Sequence, residues 1–430
     1  MAIHPASRMT DTHGRPVVAV TGIGVVSSLG RGVEDNWAAL TAGRSGIHRI
    51  TRFATENLRT TIAGTVDFMD VAPLTAIDLS YALAETAGLE AVRMAGFEGD
   101  FAGPLFLAAP PVELEWQHRF ALDRLPGEAR EEAGYDRLLE LVRQHPQPAM
   151  YRQTLFGGIS DRLADRLGTR GLPVTLSTAC ASGASAIQLG VEAIRRGETD
   201  RAVSVGTDGS VSAEALIRFS LLSALSTDND DPERASKPFS KDRDGFVIAE
   251  GAAALVLESL EAATARGARI LGIIHGVGEK ADDFHRTRSK PDGSPIIATI
   301  RRGLADAGLT PEDIDYVNAH GTSTPENDRM EAGGLTAVFG EHIKSVPISS
   351  NKSMIGHTLT AAGAIEAVFS ILTMRDGILP PTINYEVPDP AIPLDTVPNV
   401  KRSADVAAVL SNSFGFGGQN VSLVLGREPR

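Results

Sequence analysis

The sequence predicts an α/β protein made of two similar halves, and three observations lead there. Short β-rich runs alternate with amphipathic helical stretches along the whole chain. The series restarts with a fresh β-rich run at Ile270-Leu-Gly-Ile-Ile-His-Gly-Val-Gly278. No Pro/Ser/Gly-rich linker separates the two series, so the halves are expected to pack as one unit. Their expected extents are 1–260 and 261–430, with an insertion near 105–170 in the first. No short-period repeat is present, and the coarse similarity of the halves fits an ancient duplication.

In order, Val17 to Gly30 reads as a buried strand closing on a glycine turn. Its Gly22–Gly24 pair invites a dinucleotide-fold reading, which fails because the third glycine would fall on Ser27 and no helix opens there. Residues 33–43 read as a helix. Residues 71–95 read as a long amphipathic helix begun near Pro73 and Thr75. Phe101 to Ala109 is an apolar strand ended by Pro110-Pro111, and residues 112–170 are largely helical and polar. Val174 to Leu176 is a strand, Ala181 to Arg196 a helix with one apolar face, and Ala202 to Asp208 a buried strand. A polar loop, 236–251, leads into the strand Ala252 to Leu257. In the second half, Ile297 to Ala307 is helical and capped by Gly308. Ile314 to His320 is a strand, Ala361 to Arg375 a helix, and Val406 to Leu410 a strand.

The chain has 430 residues, 42% hydrophobic and 22% charged, with a net charge of -13. That balance argues against nucleic acid or an anionic membrane as the main partner. One cysteine excludes an internal disulfide framework and a multi-cysteine metal site. No apolar run approaches the ~20 residues of a membrane span. The longest, Val17 to Val26, is broken by Thr21, Gly22 and Gly24. Residues 1–15 are polar and lack a signal-peptide core, so a cytosolic location is expected.

Chemistry concentrates in four stretches. Cys180 falls where a strand turns into a helix. Unpaired N–H groups and the helix dipole there would favour thiolate over thiol. A small buried cysteine is the bland alternative. Asn318-Ala-His320-Gly-Thr322-Ser-Thr324 follows a strand end, where α/β proteins place their sites. Ser350-Asn-Lys352-Ser-Met-Ile-Gly-His357 puts a lysine and a histidine in one loop. Ser411-Asn412-Ser-Phe414-Gly415-Phe416-Gly-Gly418 offers close backbone approach and an aromatic gate. Each alone has a structural explanation, such as a hydrogen-bonded histidine, a solvated lysine or an ordinary glycine turn. Together they hold a nucleophile, two imidazoles, a lysine and oxyanion donors, the inventory of an acyl-transfer site. No His-x-x-x-His or carboxylate–histidine spacing accompanies them, which leaves a metal site a poor competitor.

These stretches resemble the elongating β-ketoacyl-acyl-carrier-protein synthases. The resemblance is carried by Thr178-Ala-Cys180-Ala-Ser-Gly, Asn318-Ala-His-Gly-Thr-Ser-Thr-Pro-x-x-Asp328, Asn351-Lys-Ser-Met-Ile-Gly-His and Asn412-Ser-Phe-Gly-Phe-Gly-Gly. Lys237-Pro-Phe-Ser-Lys-Asp-Arg-Asp-Gly-Phe and the first strand add to it, and it spans about 17–427. It implies a thiolase-like duplicated αβαβα layered sandwich, usually a homodimer, which condenses malonyl and acyl chains delivered by acyl carrier protein and needs no external cofactor. Cys180 would hold the acyl chain, and the N–H groups of Cys180 and Phe416 would form the oxyanion hole. His320 and His357 would stabilise the enolate left by decarboxylation. Lys352 would hold the site's charge, paired with Glu331, with Asp328 in support. Thr322 and Thr324 would contact the phosphopantetheine arm, and Phe416, with Phe414 and Gly415, would gate the acyl pocket. Asn318, Glu366, Ser411 and Asn412 match positions that can surround a structural cation.

The chain also departs from that family. Around 68–80, where relatives carry basic residues that dock the carrier, it reads Phe-Met-Asp-Val-Ala-Pro-Leu-Thr-Ala-Ile-Asp-Leu-Ser. Docking is expected instead at Arg286, Arg288 and Lys290, or with an unusual carrier. Leu105-Phe-Leu-Ala-Ala-Pro-Pro replaces a glycine-rich segment, and 112–155 follows no family pattern. A thiolase would need a second cysteine, and an initiating synthase would carry asparagine in place of His357. A polyketide-type ketosynthase and a non-catalytic partner subunit that sets chain length stay as alternatives to a fatty-acid synthase, ordinary or specialised for very long chains.

Overall fold

The computed structural model describes residues 9–72, 74–112, 114–125 and 134–429. Its first half contributes five strands to the main path of the sheet, β1 (Val18–Ser27), β2 (Leu105–Ala108), β3 (Val174–Leu176), β4 (Arg201–Asp208) and β5 (Gly251–Ser259), and the two-residue strand Gly30–Arg31, which pairs with β1 alone. The second half contributes β6 (Gly272–Glu279), β7 (Tyr316–Asn318), β8 (Ile348–Ser349), β9 (Ala408–Phe414) and β10 (Asn420–Gly426). Read outward from the middle, the first set runs β1-β5-β4-β2-β3 and the second β6-β10-β9-β7-β8. Strand n of the first set therefore matches strand n+5 of the second. Directions repeat as well. The two inner pairs of each set are antiparallel and the two outer pairs parallel. The sets meet where Val18–Val20 of β1 pairs antiparallel with Gly272–Ile274 of β6.

Helices cover both faces of each set. α1 (Ala76–Met94) packs on β1, β4 and β5 and is braced by α2 (Gly158–Leu167). α5 (Ser294–Ala307) packs on β6 and β10. Between the two sets, α3 (Ser182–Arg195) and α7 (Ala362–Asp376) lie against each other. α7 is buried from Ala362 to Met374, as an almost all-apolar helix must be. The result is the five-layer αβαβα order. Gly22 and Gly24 serve this packing. A Cβ on them would stand 2.0 Å from the Ala91 carbonyl oxygen and 2.1 Å from that of Ala87. They let α1 press onto β1, which is why a glycine pair stands there without a nucleotide loop.

Thr75 caps α1 by accepting the Asp78 N–H at 3.0 Å, and Pro73, the other expected start, lies outside the described residues. So do residues 1–8 of the polar start and 113 and 126–133 of the helical region 112–170. What is described of that region forms Trp116–Asp123, Tyr135–Gln144, Pro148–Gln153 and α2. The strand expected over Phe101–Ala109 begins only at Leu105, after Gly103-Pro104 interrupts the run. The strand expected over Val406–Leu410 continues to Phe414. Among the elements that the sequence does not reveal are α4 (Ala213–Leu221), α6 (Pro325–Phe339) and the strands β8 and β10. Among the described residues no helix is long and apolar enough to cross a membrane.

Candidate active site

The four chemistry-bearing stretches all follow the C-terminal ends of parallel-paired strands: Cys180 after β3, His320 after β7, Lys352 and His357 after β8, and Phe414–Phe416 at the end of β9. Cys180 stands on a tight elbow. Ala179 has φ 48°, a left-handed conformation that costs a non-glycine residue energy and turns the next side chain out of the strand line. Ser182 clamps the elbow. Its Oγ accepts the Thr178 N–H at 2.7 Å and donates to the Ala179 carbonyl at 2.6 Å.

The Cys180 sulfur and one nitrogen each of His320 and His357 lie within 4.8 Å of one another, and all three residues are buried. The imidazoles meet edge to face, centroids 5.3 Å apart, with Phe414 against His320 and Phe246 against His357. Their protons follow from the hydrogen-bond network. The Lys352 ammonium can only donate, and it stands 3.4 Å from His320 Nδ1. The Leu359 N–H donates to His357 Nδ1 at 3.2 Å. Both Nδ1 atoms are thus acceptors, and both rings carry their proton on Nε2. Burial, helped by the Lys352 charge, holds both histidines well below their ordinary range, so they are neutral donors at physiological pH.

The thiol behaves differently from the expectation. Burial pushes Cys180 up to about 11, against the pull of the Phe416 and Cys180 N–H groups and the Lys352 charge. Desolvation outweighs the helix terminus, and the resting side chain is a thiol. Asp208, which the sequence reading did not single out, adds to the upward push.

The Lys352 partner is also corrected. Its ammonium pairs with Glu366 Oε1 on α7, and both side chains are 1% exposed. Glu331 is not its partner. Glu331 accepts the N–H groups of His320 and Gly321 at 2.9 and 2.8 Å and the Asn412 side-chain amide at 3.1 Å, fixing the turn that carries His320. Burial raises both carboxyls to about 7. Asp328 accepts the Phe239 N–H at 2.8 Å and stands 3.6 Å from Arg243. It supports the 237–246 loop at one remove from the sulfur.

A cavity of about 340 Å³ leads to these groups and is lined by Cys180, both histidines, Thr322, Thr324 and Phe416 among others. Thr322 Oγ1 and Thr324 Oγ1 are 2.9 Å apart, and Thr324 also caps α6. The proposed cation set is brought together in part. Asn318 pairs with Ser411 across β7 and β9, and Asn318 Oδ1 and Glu366 Oε2 are buried without a hydrogen-bond partner, as an oxygen-seeking cation would require. Asn412 Oδ1 is already taken by the Ser422 hydroxyl at 2.8 Å.

A cysteine on a strained elbow, facing two neutral imidazole donors at the mouth of a cavity between duplicated α/β halves, defines a condensing-type acyltransferase. The family model for the β-ketoacyl synthase N-terminal domain matches residues 15–95 and 128–263, and that for the C-terminal domain matches 271–386. The chain belongs to the β-ketoacyl synthase family. It is 39% identical over 416 residues to the 3-oxoacyl-acyl-carrier-protein synthase 2 of Coxiella burnetii, covering 95% of this chain and 98% of that one. It is 36% identical over 426 residues to the tetracenomycin polyketide synthase ketoacyl synthase alpha subunit of Streptomyces glaucescens, covering 96% and 98%. Among solved structures it resembles a ketosynthase of a type II polyketide system, solved in complex with its acyl-carrier protein. The TM-score there is 0.85 at 31% identity, covering 96% of this chain and 100% of that one. The N-terminal match skips 96–127, which contains the Leu105-to-Pro111 segment that departs from the family, but it resumes at 128, so 128–155, expected to follow no family pattern, does match the family.

Proposed function

We propose that this protein is a β-ketoacyl-acyl-carrier-protein synthase that extends a chain held on Cys180 by decarboxylative condensation with malonyl-acyl-carrier-protein. The observation that carries this is the Cys180–His320–His357 cluster, with both Nε2–H groups free to donate beside the sulfur. In the first half-reaction the Cys180 sulfur attacks the acyl thioester carbonyl, and its proton passes to the carrier sulfur that departs. The N–H groups of Cys180 and Phe416, which already reach the sulfur, receive the oxyanion, and the carrier thiol leaves. In the second, the Nε2–H groups of His320 and His357 hold the malonyl thioester oxygen. Loss of carbon dioxide leaves an enolate on that oxygen, and its carbon attacks the acyl-cysteine. The 3-oxoacyl carrier forms and the cysteine sulfur is released.

Lys352 and Glu366 keep His320 in the required tautomer, Glu331 fixes its backbone, and Thr322 and Thr324 receive the arm. A cation on Asn318 Oδ1 and Glu366 Oε2 would supply positive charge beside the buried carboxyls. A second copy of the chain would cover the free edge of β3, where Leu172 is 92% and Val174 41% exposed. We place the enzyme in the cytosol with its carrier. A polyketide-type ketosynthase is the second reading, favoured by the 36% identity to the Streptomyces glaucescens subunit.

Intact-protein mass after incubation with a panel of acyl carriers tests the main reading. Wild type should gain one acyl mass that Cys180→Ala does not. Loading without later chain growth from malonyl carrier would overturn it, and repeated extension without reduction would favour the polyketide reading.

A further inference from the structure

Cys180 lines a cavity of about 340 Å³, far too small for a folded protein, so whatever delivers the substrate must stop at the mouth. The face expected to dock a carrier from the resemblance is poorly suited to an acidic partner. It presents Asp67, Phe68 and Asp70 to solvent, with Arg31 lying over the Phe68 ring. The mouth differs. Arg286 and Arg288 line it, both are exposed, and neither forms an ion pair among the described residues. Lys290, third of the expected trio, is 3.5 Å from Asp292. Leu222, which lines the same cavity, is 46% exposed, its chain neighbour Leu221 81%, and Phe284, two residues before Arg286, 48%.

We propose that the carrier protein docks on this rim, with Arg286 and Arg288 meeting its acidic side chains and Leu221, Leu222 and Phe284 meeting an apolar patch between them. This rests on the synthase reading above. The partner is fixed by charge. On a chain of net charge -13, an acidic protein is repelled over most of the surface, and two unpaired cations at the entrance select where it lands. Exposed ion pairs bind weakly, so the arginines steer and the apolar side chains hold.

The rim is also prebuilt. Asp282 accepts the N–H groups of Phe284 at 3.0 Å and Lys290 at 2.8 Å, folding the loop into one shape. That loop is joined to the gate, since the Gly417 N–H donates to the Arg286 carbonyl at 2.7 Å and the Asp282 N–H to the Gly418 carbonyl at 2.7 Å. A carrier seated on Arg286 is therefore one hydrogen bond from the residue beside Phe416.

The test uses the full chain, an acidic bacterial acyl carrier protein bearing phosphopantetheine, and an N-acetylcysteamine thioester that has no carrier. Carrier Kd is read directly by fluorescence anisotropy and KM by turnover. Arg286→Glu with Arg288→Glu should raise Kd and carrier KM at least tenfold and flatten their salt dependence. Leu221→Asp with Phe284→Asp should raise both at least fivefold and leave turnover of the small thioester within twofold. Arg31→Glu should leave carrier Kd unchanged. The proposal falls if the double-Glu variant binds carrier as wild type does, if Arg31→Glu is the damaging change, or if the apolar variant loses both substrates equally. Carrier binding without condensation in the wild type would instead defeat the synthase reading and leave the docking surface standing.

Discussion

Two elbows, one in each half, share a backbone and differ in what they carry. Ala179 has φ 48° and Leu359 φ 47°, and each is followed, after two more residues, by a buried helix of the central layer. The helices cross through reciprocal glycines. A Cβ on Gly183 would stand 2.6 Å from the Ala364 nitrogen, and one on Gly363 would stand 2.6 Å from the Ala184 nitrogen. The first elbow presents Cys180 to the cavity. At the matching place the second presents Thr360, whose hydroxyl donates to Asp208 at 2.7 Å. The approach differs too. Ala179 follows β3 by three positions, whereas Leu359 follows β8 by ten, and the longer connection holds Lys352 and His357. Duplication supplied two equivalent turns. One carries the proposed nucleophile, and the other is reached by a longer loop that brings Lys352 and His357 toward it.

The largest effect separates the two seats. Cys180→Ala should lower condensation at least about a thousandfold, since it removes the chain's single thiol, which stands beside both histidines. Thr360→Val should keep acyl loading and cost about 1–3 kcal/mol of stability by leaving buried Asp208 short of a donor. Loading by mass and melting by calorimetry distinguish them. A Thr360→Val enzyme as dead as Cys180→Ala would show that the second elbow does chemistry as well.

Next comes the loop peculiar to the second half. Lys352→Met removes one member of a buried ion pair and should destabilise by about 3–5 kcal/mol. It also frees His320 Nδ1 to carry the proton, so decarboxylation of malonyl carrier should fall more than acyl loading does. Equal losses in the two half-reactions would mean Lys352 acts on structure alone. The glycine crossing should respond symmetrically. Gly183→Ala and Gly363→Ala each force a backbone clash and should each cost about 1–3 kcal/mol. A large cost for one and none for the other would break the equivalence of the crossing.

Stability against pH sharpens the comparison further, because its terms oppose. His357 is held well below its ordinary 6.5 in the fold. As pH falls through 6.5 the unfolded chain takes the proton first and the fold loses stability. Glu331 is raised to about 7 from 4.5, so its contribution is full below 4.5 and is lost as pH rises through 7. Melting temperature followed from pH 7.5 to 5 should therefore fall less steeply in His357→Asn than in wild type, and more steeply in Glu331→Gln. Parallel curves for all three proteins would remove both groups from the balance.

Much of this was legible in the sequence, and the gaps have physical causes. The long periodic elements and the stretches carrying Cys180, His320, Lys352 and His357 came through, because apolar periodicity and strand-end motifs are local signals, whereas the five-layer order came only through the family resemblance that those motifs carry. α6 is hidden by Gly333-Gly334 and a polar first turn that mask its helical face, and β10 by the glycine turn before it, which reads as the end of an element although it is the bend of the β9–β10 hairpin. The Lys352–Glu366 pair depends on how α7 docks against the loop before it, which no spacing reveals. Asp208 ends a strand that looked merely buried. A trace of the elbow repeat was present, Ala181-Ser-Gly-Ala184 against Ala361-Ala-Gly-Ala364, but too short to be read without the left-handed residues preceding it.

The smallest effect concerns the thiol itself, where sequence and structure part most clearly. A cysteine before a helix suggests an ionised sulfur, yet burial raises Cys180 to about 11. Iodoacetamide inactivation measured against pH should then keep accelerating through pH 9 and 10, where an ordinary exposed cysteine levels off near 8.5. The second elbow enters here as well. Asp208, held by Thr360, is one of the groups pushing the thiol up, so Asp208→Asn should move the alkylation profile to lower pH. A profile that levels near pH 7 in the wild type would mean that the N–H groups of Phe416 and Cys180 overcome burial. The nucleophile would then be poised as thiolate before any substrate arrives, and the asymmetry between the elbows would lie in charge as well as in side chain.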